Sequence, residues 1–274
     1  MPKANLTRIT AIGAALTIVA AAVAYAHDMF LKPTRYFVEP NAEVLVRILN
    51  GTFSKSENSI ARARLRDVSV VGPAGRQQID TAQWTVAGDT STFRIHTGAA
   101  GTYQLGVSTK QSVLALTAKE FNAYLSDDGI PDVLDARRRD GELERPVRER
   151  YWKHVKAVIQ VGSPRTDHAL SAIGYPAEIV PLENPYARSV GDTLRVRTLV
   201  DGKPASRQYV LYGGRLPNGE MIAQRNTRSD ADGIAGIPLR TAGTWYVKFI
   251  SMARTTGDSV DYESKWATLT FQVR

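Results

Sequence analysis

The sequence predicts a mainly β protein: two antiparallel, immunoglobulin-like β-sandwich domains with a helical insertion between them. Short apolar runs alternate with period two in both halves of the chain, turn formers separate them, and between the two sets the apolar spacing lengthens to that of a helix. At 43% hydrophobic and 23% charged residues over a length of 274, the composition is that of a folded chain and excludes a disordered, collagen-like or polytopic membrane protein.

The first element is an address. Lys3 and Arg8 precede the apolar run Ile9 to Ala24, and Ala24-Tyr25-Ala26 has the small-x-small form that signal peptidase cuts. A membrane anchor is the other reading of such a run, but this one is Ala-rich and has no stop-transfer flank. Residues 1–26 are therefore expected to be a signal peptide, and the product a periplasmic protein with no membrane span in the mature chain. Removing them takes two cations and no acid, leaving 248 residues with a formal charge of +6. That excess is interleaved with acids, as in Arg137-Arg138-Arg139 through Arg150, so it reads as solvated surface and no nucleic-acid partner is expected.

From Glu43 the strand candidates follow in turn: Val44-Val46-Ile48, Val68-Val70, Phe93-Ile95, Tyr103-Leu105-Val107 and Val113. Asn50-Gly51, Gly72-Pro73, Gly88-Asp89 and Gly98 through Gly101 punctuate them, giving a sandwich over 27–117. Phe121, Tyr124 and Leu125 then sit at helical spacing, a second helical turn starts at Pro131, and Pro146 opens a third helix whose apolar arc holds Tyr151, Val155, Val158 and Ile159. The helical insertion is thus 118–160, followed by a Pro-bearing connector over 161–185. A second set of strands occupies 186–274, with clear alternation in Trp245-Val247-Phe249 and Ala267-Leu269-Phe271-Val273.

No motif spells out a reaction. Cysteine is absent, which removes disulfides, thiolate metal sites and thiol catalysis; no Gly-x-Ser-x-Gly elbow, P-loop or dinucleotide fingerprint occurs. Asp230-Ala231-Asp232-Gly233 resembles the start of a calcium loop but lacks the later oxygen ligands, so an Asx-type turn is expected there. Trp245, Trp266, Tyr246 and Tyr262 suit a sandwich core better than a sugar platform.

Several segments together resemble the DUF4198 family of exported bacterial proteins: His27-Asp28-Met29-Phe30-Leu31-Lys32-Pro33, Tyr175-Pro176-Ala177-Glu178-Ile179-Val180-Pro181 with Asn184-Pro185-Tyr186, Val200-Asp201-Gly202-Lys203-Pro204, and Asp261 through Phe271. The resemblance implies a periplasmic component of nickel or cobalt uptake, with a metal-uptake transporter or another envelope protein as partner, and scarcely implies catalysis.

Processing sharpens the metal reading. With His27 as first residue, its α-amino group and imidazole Nδ1 can chelate one divalent transition metal (nickel, cobalt or copper) in a six-membered ring, and free α-amino groups titrate near neutrality. Asp28 can add an oxygen or orient the ring. Further ligands must come from His96, on the face opposite Phe93 and Ile95, from His154, on the apolar arc, or from Glu178 and Glu263 in the family-like segments. The plainer readings are a surface residue for His96, a hydrogen-bonded core residue for His154 and a backbone cap at the connector for Glu178. Two other functions stay open: a non-metal envelope scaffold for a glycan or protein, and a histidine-brace copper oxidase, which needs a second histidine beside His27 and an open coordination position.

Overall fold

The computed structural model describes residues 27–274; the expected signal peptide lies outside them. The order of elements is β1 (Asp28–Pro33), β2 (Phe37–Val38), β3 (Glu43–Gly51), β4 (Leu65–Gly72), β5 (Gly75–Gln78), β6 (Thr85–Ala87), β7 (Thr90–His96), β8 (Gly101–Thr109), β9 (Ser112–Leu116), α1 (Ala118–Asp127), α2 (Pro131–Arg139), β10 (Val147–Val161), β11 (Ala177–Pro181), β12 (Thr193–Val200), β13 (Lys203–Pro204), β14 (Tyr209–Arg215), β15 (Met221–Arg228), β16 (Ile234–Pro238), β17 (Gly243–Arg254) and β18 (Tyr262–Val273). The expected class holds: the chain is mainly β, with two sandwich cores and two helices between them. Among the described residues no helix is long and apolar enough to cross a membrane.

One ten-stranded sheet, in the order β15-β14-β17-β18-β10-β8-β4-β5 with β2 and β9 also on β10, runs through both halves. A four-stranded sheet, β1-β3-β7-β6, covers one end of it, and a second, β11-β12-β13 with β16 on β12, covers the other. Met29, Leu31, Val44, Val46, Phe93 and Ile95 fill the first core against Val68, Leu105 and Val155. Ile179, Leu194, Val196 and Ile237 fill the second against Trp245, Val247, Leu269 and Phe271. Alternation made most of these strands legible, since each outer sheet has one buried face; the exceptions are Val155, expected on a helix, and β1 and β11, which were not expected as strands.

Both short helices form as expected. A capping box, Thr117 with Glu120, starts α1, and Pro131 opens α2. Phe121, Tyr124 and Leu125 pack under them against Trp266 and Tyr262. Asp230 makes the expected Asx turn, its Oδ1 accepting from the backbone N–H of Asp232 (2.9 Å) and Ile234 (2.8 Å).

The third helix is corrected. Residues 147–161 are a single strand, β10, antiparallel to β8 and β9 and parallel to β18. Residues 153–161 are buried throughout, since β10 is the middle strand of the large sheet and other elements cover both its faces. A strand buried on both faces loses the period-two signal, and its scattered valines fall on a helical arc by spacing alone. The β-branched Val147, Val155, Val158, Ile159 and Val161 suit the extended form. Hydrogen bonds also cross the boundaries expected from sequence: β11, inside the expected connector, pairs with β12, and β18 pairs with β10.

Candidate functional site

Residue His27 and strand β1 open a cleft of about 330 Å³ whose walls include His27, Asp28, Glu57, Asp128, Met221 and Lys248. Five separate segments build it. Strand β1 pairs with β3 so that Asp28 lies opposite Gly51, and the chain after Gly51 folds back to bring Glu57 beside His27. A Cβ on Gly51 would stand 2.6 Å from the Lys55 carbonyl oxygen, so only glycine permits that return. Strand β15 supplies Met221, β17 supplies Lys248, and the C-terminal end of α1 supplies Asp128.

His27 Nδ1 lies 3.2 Å from Glu57 Oε2. The His27 carbonyl accepts from the Lys153 ammonium, which also donates to Asn50 Oδ1 at 3.0 Å. Lys248 donates to the Asp28 carboxylate and, at 3.2 Å, to Asp128 Oδ1. The other Asp28 oxygen, Oδ1, is buried without a hydrogen-bond partner.

These charges are largely buried, and their proton affinities show it. Burial pushes the Asp128 carboxyl up to about 6, the nearby Asp28 charge adds to this, and Lys248 opposes it. Burial works against the Lys248 ammonium, but Asp28 and Asp128 outweigh it and hold the lysine above its ordinary range. Burial brings Lys153 down to about 8 despite the same two acids.

Deeper along β10, Glu149 is wholly buried; its Oε1 accepts from Ser264 and, at 3.1 Å, from Tyr124 Oη, while Oε2 has no partner. Burial lifts its carboxyl from 4.5 to about 7, with Ser264 and Tyr124 pulling the other way. The native state therefore binds this proton more tightly than the unfolded chain does. Its contribution to stability is complete below pH 4.5 and is lost as the pH rises through 7. Urea unfolding of wild type and Glu149→Gln at pH 5 and pH 8 is expected to show a wild-type decline steeper by up to about 3 kcal/mol; equal declines would place the Glu149 proton affinity at its ordinary value.

The six residues expected at the site do not converge. His27 and Asp28 share the cleft. His96 is exposed on β7, its Nε2 3.7 Å from Glu43. His154 is buried on β10 with Nδ1 2.9 Å from Ser108 Oγ, and burial holds it neutral, at about 3. Glu178 is buried against Lys156 at 2.9 Å, and Glu263 accepts from Arg150 at 2.6 Å. Among the described residues no three His, Asp or Glu side chains are grouped as metal ligands. Glu57, Asp128, Lys153 and Lys248 carry no sequence signal for this role: the fold gathers them from distant segments, and Lys248 alternates with Val247 and Phe249 as though it faced solvent.

Comparison with known proteins places this geometry among sequences but attaches no activity to it. No curated protein matches. Solved structures with some likeness include a tetra-tandem repeat from the extending region of a large adhesion protein (10% identity, TM-score 0.22, 89% of this chain and 48% of that one). Others are the BSP domain of a biofilm-associated protein (11%, 0.21, 88% and 29%) and a two-domain fibronectin type-III segment of chicken tenascin (10%, 0.19, 86% and 95%). The chain thus spans about half of the first and under a third of the second. A family model described as a domain of unknown function, DUF4198, matches residues 24–253, and on that coverage the chain belongs to the DUF4198 family.

Proposed function

We propose that this is an exported, periplasmic binding or accessory protein that takes a divalent transition metal, nickel, cobalt or copper, through a processed N-terminal His27. The observation that carries the reading is the 3.2 Å approach of His27 Nδ1 to Glu57 Oε2 at the cleft wall. Nδ1 is the ring nitrogen that forms a six-membered chelate with the α-amino group of the same residue, so cleavage after Ala26 would supply two nitrogens and a carboxylate oxygen. The unpartnered Asp28 Oδ1 on the next residue fits the same chemistry. Such a nitrogen-rich set favours copper and nickel in the Irving–Williams order. Lys153 and Lys248, by holding the His27 carbonyl and the Asp28 carboxylate, fix the terminus before any metal arrives. On this reading the partner is a metal-uptake transporter or another envelope protein.

The test is a Cu(II) and Ni(II) titration, against a competing chelator, of protein recovered from the periplasm with its N-terminal mass checked. His27→Ala, or a Met retained ahead of His27, is expected to weaken binding by roughly a hundredfold or more, about 3 kcal/mol. Glu57→Ala should weaken it by about tenfold, and His168→Ala should leave it unchanged. Equal affinity in processed and extended proteins would remove the chelate and leave an envelope scaffold as the better reading.

A further inference from the structure

Alternate residues of a strand share a face, so Asp28, Phe30 and Lys32 stand in a row along β1. Phe30 closes the middle of that row against Phe53 and Tyr246, with ring centroids 5.1 and 5.2 Å away. At the Asp28 end lies the acidic cleft just described. At the Lys32 end, about 13 Å further along the strand, lies a second cavity of about 340 Å³ with the opposite chemistry. Lys32, Arg35, Arg47 and Arg215 line it, together with Thr34 and Gln272, and no Asp or Glu does.

Among the described residues none of these four cations forms an ion pair. Lys32 Nζ donates to the Phe53 carbonyl at 3.0 Å, Arg35 Nη2 to the Glu43 carbonyl at 3.2 Å, and Arg215 Nε to the Gly219 carbonyl at 2.6 Å. The Glu43 carboxylate, four residues from Arg47, is taken by Arg94 and His96. Lys32 and Arg47 are direct cross-strand partners in the β1–β3 ladder, where like charges destabilise a sheet. Burial lowers the Lys32 proton affinity, and Arg215 and Arg47 lower it further, so the cluster repels itself. Nothing in the packing of the two sandwiches requires four cations around one hollow, whereas a concave wall of a single sign focuses potential on an anion.

We propose that this cavity binds a multiply charged oxyanion of the phosphate or pyrophosphate class, ligated by Lys32 and the guanidinium groups of Arg47 and Arg215. Guanidinium forks match such oxygens two at a time, and the lysine adds a point charge. The site shares no side chain with the His27 cleft and stands or falls apart from the metal reading.

Calorimetric titration of the full mature chain with sodium pyrophosphate, at low and at physiological salt, tests it. A one-to-one isotherm that weakens with salt is expected, and Arg47→Gln/Arg215→Gln should reduce the affinity by roughly tenfold or more. Lys110→Gln, at an exposed cation outside the cavity, should leave it unchanged. Without ligand, Arg47→Gln should raise the Tm by about 1–3 °C by relieving the repulsion, and pyrophosphate should raise the Tm of wild type but not of the double variant. Flotation with phosphatidylcholine vesicles containing phosphatidylglycerol separates the sources: variant-sensitive binding to vesicles alone makes the ligand a lipid phosphate, and variant-sensitive binding to pyrophosphate makes it a free oxyanion. Unchanged affinity in the double variant, a wild type that binds neither probe, or a lower ligand-free Tm in Arg47→Gln overturns the proposal.

Discussion

Replacing Glu178 by Ala is expected to lower the free energy of unfolding by about 3–5 kcal/mol, the range for breaking a buried ion pair from one side. The Glu178 carboxylate accepts from Lys156 Nζ and from three backbone N–H groups, those of Ile173 (2.9 Å), Gly174 (2.6 Å) and Tyr175 (2.7 Å). Alanine would leave the fully buried Lys156 ammonium uncompensated and strip those three donors of their acceptor. Burial alone would raise the Glu178 carboxyl, but Lys156 and the backbone donors outweigh it and hold it below its ordinary value of 4.5. Its contribution is therefore present above pH 4.5 and is lost as the pH falls through the lowered folded value, so the gap between wild type and Glu178→Ala should narrow in acid. Urea unfolding at pH 7 and at pH 3 measures both; a loss under 1 kcal/mol at pH 7 would contradict the buried pair.

Phe271→Ala is expected to cost about 3–5 kcal/mol, with Leu269→Ala close behind at about 2–5 kcal/mol. Both side chains are fully buried in the second core beside Trp245 and Val247. The opposite face of β18 is buried too: the hydroxyls of Thr268 and Thr270 donate to the Met29 and Leu31 carbonyls at 2.9 and 2.6 Å. A slip of one residue would exchange the two sets and drive threonines into the apolar core. Chemical denaturation of the two single variants decides it, and small losses at both sites would mean that the inward register is the other one.

Where a strand has one buried and one wet face, as in β3, β7, β12 and β16, its residues announced it. Where both faces are covered, β8, β17 and β18 still showed it, because small or polar residues alternate with their large apolar ones, but β10 did not. Lys153 and Lys156 on β10 read as the polar side of a helix, because in sequence a buried lysine cannot be told from a solvated one; their partners His27, Asn50 and Glu178, from other segments, explain them. β15, Met221–Arg228, escaped for the opposite reason: an exposed edge strand of mostly polar residues has no hydrophobic alternation to detect. At the site, His27 and Asp28 were legible from their place after a cleavage motif. Glu57 was not, since its partnership with His27 depends on the return of the chain after Gly51.

The parallel pairing of β10 with β18 also sets the order in which the molecule can assemble. The β4–β5 and β14–β15 hairpins join adjacent strands and need little loop closure. By contrast, the Thr268 and Thr270 contacts to β1 join residues 239 positions apart, and β10 keeps an open edge until β18 arrives. Such a high contact order slows folding, because the entropy of closing a long loop must be met before the contact forms. Until β18 docks, the buried valines of β10 lie along an unpaired edge, the form of strand most prone to pair with another molecule. The half-made protein therefore gains most from a chaperone that covers β10.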